Sequence, residues 1–86
     1  MKFMDDFAVN EIFSAKYRQL SYPNVLKDPV NVSVRTFAVE AYMSARQHNS
    51  LNSEDELKKQ LYSFVERTWG KSEVPVARRS ISMLLK

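Results

Sequence analysis

Apolar residues recur at three- and four-residue steps in four segments of this chain. In the first, "DDFAVNEIFSAKYRQL", Val9, Ile12, Phe13, Lys16 and Leu20 share one helical face. Only the lysine is polar there, and its aliphatic stem can lie along apolar surface. Asp5 or Asp6 caps the start and complements the helix dipole. Phe3, Met4, Phe7 and Ala8 widen the apolar surface, so this helix is expected to be more than half buried or to meet a partner. The second segment carries the cleanest stripe: Val30, Val34, Phe37, Ala38, Ala41, Ala45 and His48. Three alanines on that stripe permit a close helix crossing. The third places Leu57, Leu61, Phe64, Val65 and Thr68 on its inner face, and the fourth places Ala77, Ile81, Leu84 and Leu85 on one side.

Punctuation residues set the boundaries. Pro23 ends the first helix, because a residue before proline avoids the α region. Val25 and Leu26 are expected to pin the following loop to the core, and Asp28–Pro29 reads as a cap followed by proline at the first helical position. Ser53 with Glu56 forms a capping box. Gly70 suits a left-handed position just past a helix end, and Pro75 fits the first turn of the last helix. These signals predict an all-α fold, a small orthogonal bundle of four helices at about 5–20, 29–48, 54–69 and 75–86, with a proline-containing loop after the first. One glycine and three prolines leave few of the turns that many short strands need. At 86 residues the chain reads as one domain, 1–86. No apolar run approaches the ~18 residues of a membrane span. The opening "MKFMDDFAVN" has two aspartates where a signal peptide needs an apolar run, so the expected location is intracellular and soluble, cytoplasmic or nuclear.

Charge changes this picture. The net charge of +3 is uneven: residues 1–30 hold four basic and four acidic side chains, 31–56 two and four, and 57–86 seven and two, balances of 0, −2 and +5. A basic last third on a nearly neutral body points to an anionic partner, most often nucleic acid, against the plainer reading of a solvated surface. Catalysis is not expected. There is no cysteine for a thiolate site, one glycine where a phosphate loop needs several, and one histidine, His48, which reads as a boundary residue at a helix end. The acidic pairs sit at helix starts, where the dipole accounts for them. No cofactor, metal or small-molecule substrate is implied.

Two surfaces remain. The stretch "VPVARRSISMLLK", joined to the preceding helix by "GKSEV", resembles the recognition segment of the helix-turn-helix class. That resemblance implies that Arg78, Arg79 and Ser82 face a DNA groove while Ile81 and Leu84 anchor the helix. Lys71 would contact a phosphate, and Lys86 completes the basic face. The connector is longer than the simple motif's turn, and no wing follows Lys86. The stretch "FAVEAYMSARQHNSLNSEDELKKQL" is similar to part of a histone-fold subunit, with Phe37, Ala41 and Ala45 carrying the match. Histone folds work as pairs, which implies self-association, although Pro29 limits the second helix to about 20 residues. The aromatics supply the second surface. Tyr17, Tyr22, Tyr42, Tyr62 and Trp69 are more than one small core is expected to hold, and Tyr42 and Met43 lie off the main stripe. Phe7, Tyr17, Tyr42, Met43 and Trp69 are therefore the expected contacts to a protein partner. The expected function is non-enzymatic binding: DNA-binding or transcription-regulatory through the basic third, or alternatively a homodimer, adaptor or inhibitor of a larger machine.

Overall fold

The sequence folds into four α-helices: α1 (Asp6–Ser21), α2 (Val30–His48), α3 (Glu54–Trp69) and α4 (Val74–Leu84). A 3-10 turn, Lys71–Glu73, joins the last two. The structure, a computed structural model, describes residues 6–21, 29–48 and 53–85. The expected roles of Phe3, Met4, Asp5, Tyr22, Pro23, Val25, Leu26, Asp28 and Lys86 fall outside those residues.

Local chemistry explains each boundary. The Ser21 hydroxyl donates to the Tyr17 carbonyl at 2.7 Å, turning back into the last turn of α1. Pro29 lies one position earlier than expected. Its carbonyl accepts from the Val32 and Ser33 N–H groups at 2.9 and 3.0 Å, so it is the cap of α2 and not its first residue. Capping by Ser53 is as expected: its hydroxyl accepts from the Glu56 N–H at 3.1 Å. Gly70 also ends α3, but with φ 108° and ψ 161°. That is not the compact left-handed conformation. It is the extended positive-φ region, which essentially only glycine enters. Pro75 sits in the first turn of α4, where its missing N–H has no helical partner to lose.

Packing centres on α2, which lies against α1, α3 and α4. Its buried residues are Ser33, Val34, Phe37, Ala38, Ala41, Tyr42 and Ala45. They form two parallel rows at four-residue steps, wider than the single expected stripe. The ends of that stripe, Val30 and His48, are exposed. Ala38, Ala41 and Ala45 are fully buried, and their small side chains let the neighbouring helices approach. Val9 and Phe13 of α1, Leu57, Leu61, Phe64 and Val65 of α3, and Ala77 and Ile81 of α4 complete the core. Thr68, expected on the inner face of α3, is exposed.

An aromatic cluster locks three of the helices together. Phe37 stacks on Phe64 at 5.1 Å between ring centroids, and Phe13 meets Phe64 edge-on at 6.1 Å. Tyr17 sets its edge against Phe37 and against Trp69, at 6.1 and 5.5 Å. Each such pair adds about 0.5–1.5 kcal/mol beyond the area it buries. Here the aromatic expectation is corrected. Tyr17 and Trp69 pack half-buried against the core, and Tyr42 is only 2% exposed. One small core does hold these three rings: Tyr17 and Trp69 pack against Phe37, and Tyr42 is buried in the second row of α2. Beside the cluster, the Arg67 guanidinium donates to the Asn10 Oδ1 at 2.8 Å and so ties α3 to α1.

Candidate functional site

The outer side of α4 presents two surfaces that meet along the helix. The first is basic. Lys71, Arg78, Arg79 and Ser82 are all exposed, as expected from the sequence. Arg78 does not stand free: its guanidinium lies 5.2 Å from the centroid of the Tyr62 ring on α3, a cation–π contact. Arg78 and Tyr62 share a shallow depression with Lys59, Ser63, Glu66 and Val74. Two carboxylates interrupt the face. Glu66 lines that depression, and Glu73 occupies the cap position of α4. An acid at a helix start satisfies the dipole, and it holds negative charge where a phosphate would otherwise dock.

The second surface is apolar and was not expected as a unit. Leu84 and Leu85, assigned from the sequence to the core side of α4, are 37% and 41% exposed. Leu84 therefore does not anchor the helix as the helix-turn-helix resemblance implies, whereas Ile81 is fully buried. The buried third residue of α4 is instead Ser80, whose hydroxyl donates to the Val76 carbonyl at 2.9 Å. A serine hydroxyl bonded back into its own helix can be buried at little cost.

Leu84 and Leu85 face Met43 across an open groove of about 500 Å³ between α4 and α2, whose remaining lining is Tyr42, Arg46 and Gln47. Leu84 also lines an adjoining depression, a second stretch with Arg35, Val39, Ser80 and Met83. Met43 and Met83 are 51% and 67% exposed. Of the expected partner contacts, Met43 lies in this groove and Phe7 is exposed elsewhere, beside Asn10, Gln60, Ser63 and Arg67. Tyr42 contributes to one wall, but its hydroxyl is buried and has no hydrogen-bond partner among the described residues. Burial raises the phenol's pKa above its ordinary value of about 10, and the Glu54 carboxylate adds to the rise.

One sequence signal for the groove is visible in retrospect. Met83, Leu84 and Leu85 are consecutive, and three successive helical residues fan over roughly 200°. A helix that already buries Ala77, Ser80 and Ile81 cannot turn all three inward. The remaining chemistry is sparse. His48 is exposed, and its Nδ1 donates to the Ser44 carbonyl at 2.8 Å. Among the described residues no three His, Cys, Asp or Glu side chains come together as a metal site, and no helix is long and apolar enough to cross a membrane. Compared with models of protein families, with curated proteins and with solved structures, the chain shows no significant match, so its functional reading rests on its own geometry.

Proposed function

We propose that the chain is a non-enzymatic protein-interaction module that docks a partner in the groove between α2 and α4. One observation carries this reading: Met43, Met83, Leu84 and Leu85 stand exposed around two adjoining depressions that share Leu84. Contiguous exposed apolar side chains mark interaction surfaces far more often than they occur by default. Methionine suits such a wall, because its flexible thioether adapts to the shape of what it meets. The test is affinity capture from the source cells followed by reconstitution with the captured protein after purification. Binding should disappear in Met43→Asp and Leu85→Asp, and survive in Arg78→Ala/Arg79→Ala. A partner that ignores the two groove substitutions overturns the reading.

Nucleic-acid binding is the second reading, supported by the shared exposure of Arg78, Arg79 and Ser82 on the outer side of α4. Glu66 and Glu73 weigh against it. Titration with random duplex DNA at two salt concentrations, followed by NMR, separates the two. Salt-sensitive shifts confined to residues 71–82 favour nucleic acid, since phosphate contacts release counterions. Silence there at physiological salt removes it.

A further inference from the structure

The protein-docking reading leaves the occupant open, and the charges around the groove narrow it. Two arginines of α2, Arg35 and Arg46, line its two stretches, and both are exposed. Neither has an ion-pair partner among the described residues, whereas Lys58 pairs with Glu54. No carboxylate lines either stretch. The one acid in α2, Glu40, follows Val39 directly and so projects about 100° away from it around the helix. Glu54 and Asp55, at the start of α3, both act on the Tyr42 phenol from beside the groove, and Glu54 is paired with Lys58 at 3.6 Å.

Spacing adds a length. Arg35 and Arg46 are eleven residues apart on α2. Eleven residues are just over three full turns, so the two side chains emerge from nearly the same side, roughly 17 Å apart along the axis. Val39 and Met43 lie between them at four-residue steps. The apolar strip is thus bracketed by a cation at each end, within a trough walled by two helices. A third helix laid in such a trough buries one stripe of its own.

Resting on the docking reading above, we infer that the occupant is an amphipathic helix of a partner protein, about three turns long, whose apolar anchors are flanked by carboxylates. The anchors pack on Val39, Met43 and Leu84, and the carboxylates pair with Arg35 and Arg46. A second copy of this chain fits less well. Two-fold pairing through the same strip, with the two α2 helices antiparallel, sets Arg35 of one copy against Arg46 of the other, so like charges meet.

The test uses three fluorescently labelled peptides, each about 14 residues and helix-stabilised. They share leucine anchors at i, i+4 and i+7 and carry glutamate, glutamine or lysine at both flanks. Binding to the full chain is read by fluorescence anisotropy at low and physiological salt. The glutamate peptide should bind roughly tenfold more tightly than the glutamine peptide, the scale of two partly exposed ion pairs, and the lysine peptide most weakly. The advantage should shrink with salt. Arg35→Glu/Arg46→Glu should reverse the order with an unchanged melting temperature. Equal binding of all three peptides, abolished by Met43→Asp, keeps the groove as a docking site and overturns the acidic partner. Self-association in sedimentation that is lost in Leu85→Asp, with no peptide bound, overturns it in favour of a second copy. No peptide binding and no self-association overturns both the inference and the docking reading.

Discussion

The Tyr42 hydroxyl offers a sharp test of the packing described above. The ring is 2% exposed and the hydroxyl has no hydrogen-bond partner among the described residues. Burying an unpaired hydroxyl costs about 1–3 kcal/mol, and Tyr42→Phe removes that cost while keeping the ring. Some contact is lost with the oxygen, so the expected gain is about 1 kcal/mol. For 86 residues at ~2.1 cal/mol/K each, the unfolding entropy is roughly 0.18 kcal/mol/K, so the melting temperature should rise by about 5 °C. Thermal unfolding followed by circular dichroism at 222 nm measures this. Alkaline pH gives a second readout with a definite sign. The folded phenol titrates above the ordinary value of about 10, so above that pH the unfolded chain holds fewer protons than the folded one. The stability contributed by the protonated phenol is fully present below about pH 10 and is lost as pH rises through the folded value. Tyr42→Phe lacks this loss, so its advantage over the native chain should widen above pH 10. A Tyr42→Phe chain destabilised by 1 kcal/mol or more would falsify the reasoning, since the hydroxyl would then be making a bond.

Other substitutions probe separate parts of the structure by the same assay. Phe37→Ala and Leu61→Ala should each cost about 2–5 kcal/mol, and Tyr42→Ala should cost a similar amount, because all three are buried in one core. Gly70→Ala and Gly70→Asn should both cost about 1–3 kcal/mol; a β-carbon there meets nothing within 4 Å, so backbone strain alone acts, and asparagine's tolerance of the compact left-handed region gives no relief. Rescue by asparagine would show that the helix end relaxes into that compact form. Ile81→Asp should prevent folding, whereas Leu85→Asp, four residues on, should change stability by less than about 0.5 kcal/mol. Equal effects at the two positions would remove the groove from the surface.

Signals confined to a few neighbouring residues were readable before the structure was known. Ser53 and Glu56 mark the start of α3 because the cap is a contact between residues three apart. Gly70 marks its end because one backbone conformation there demands the absence of a β-carbon, although the sequence does not say which positive-φ region is used. The main stripe of α2 was also plain. Its width was not, because width depends on how many neighbours a helix has. With α1 and α3 on one side and α4 on another, α2 buries a second row, and Tyr42 goes in with it. The same reasoning applies to α4. Its apolar side suggests a buried Leu84 and Leu85, but the neighbouring helices cover only the arc holding Ala77, Ser80 and Ile81. The basic residues of α4 were assigned to the surface correctly, since charge alone decides that, while the cation–π seat of Arg78 on Tyr62 required a fold.

The position of α2 has a consequence for how the chain reaches this structure. Each of the other three helices packs against α2. A nucleus containing α2 with at least one neighbour is therefore the expectation, although α3 also packs against α1 and α4. Substitutions that weaken α2, such as Ala41→Gly, should slow folding, while a core truncation outside α2, such as Val9→Ala in α1, should chiefly hasten unfolding. Most of its contacts join helices adjacent in the chain, and such local topologies fold in microseconds to milliseconds. The helix that organises assembly is also the one whose outer arc carries Val39, Met43 and both groove arginines.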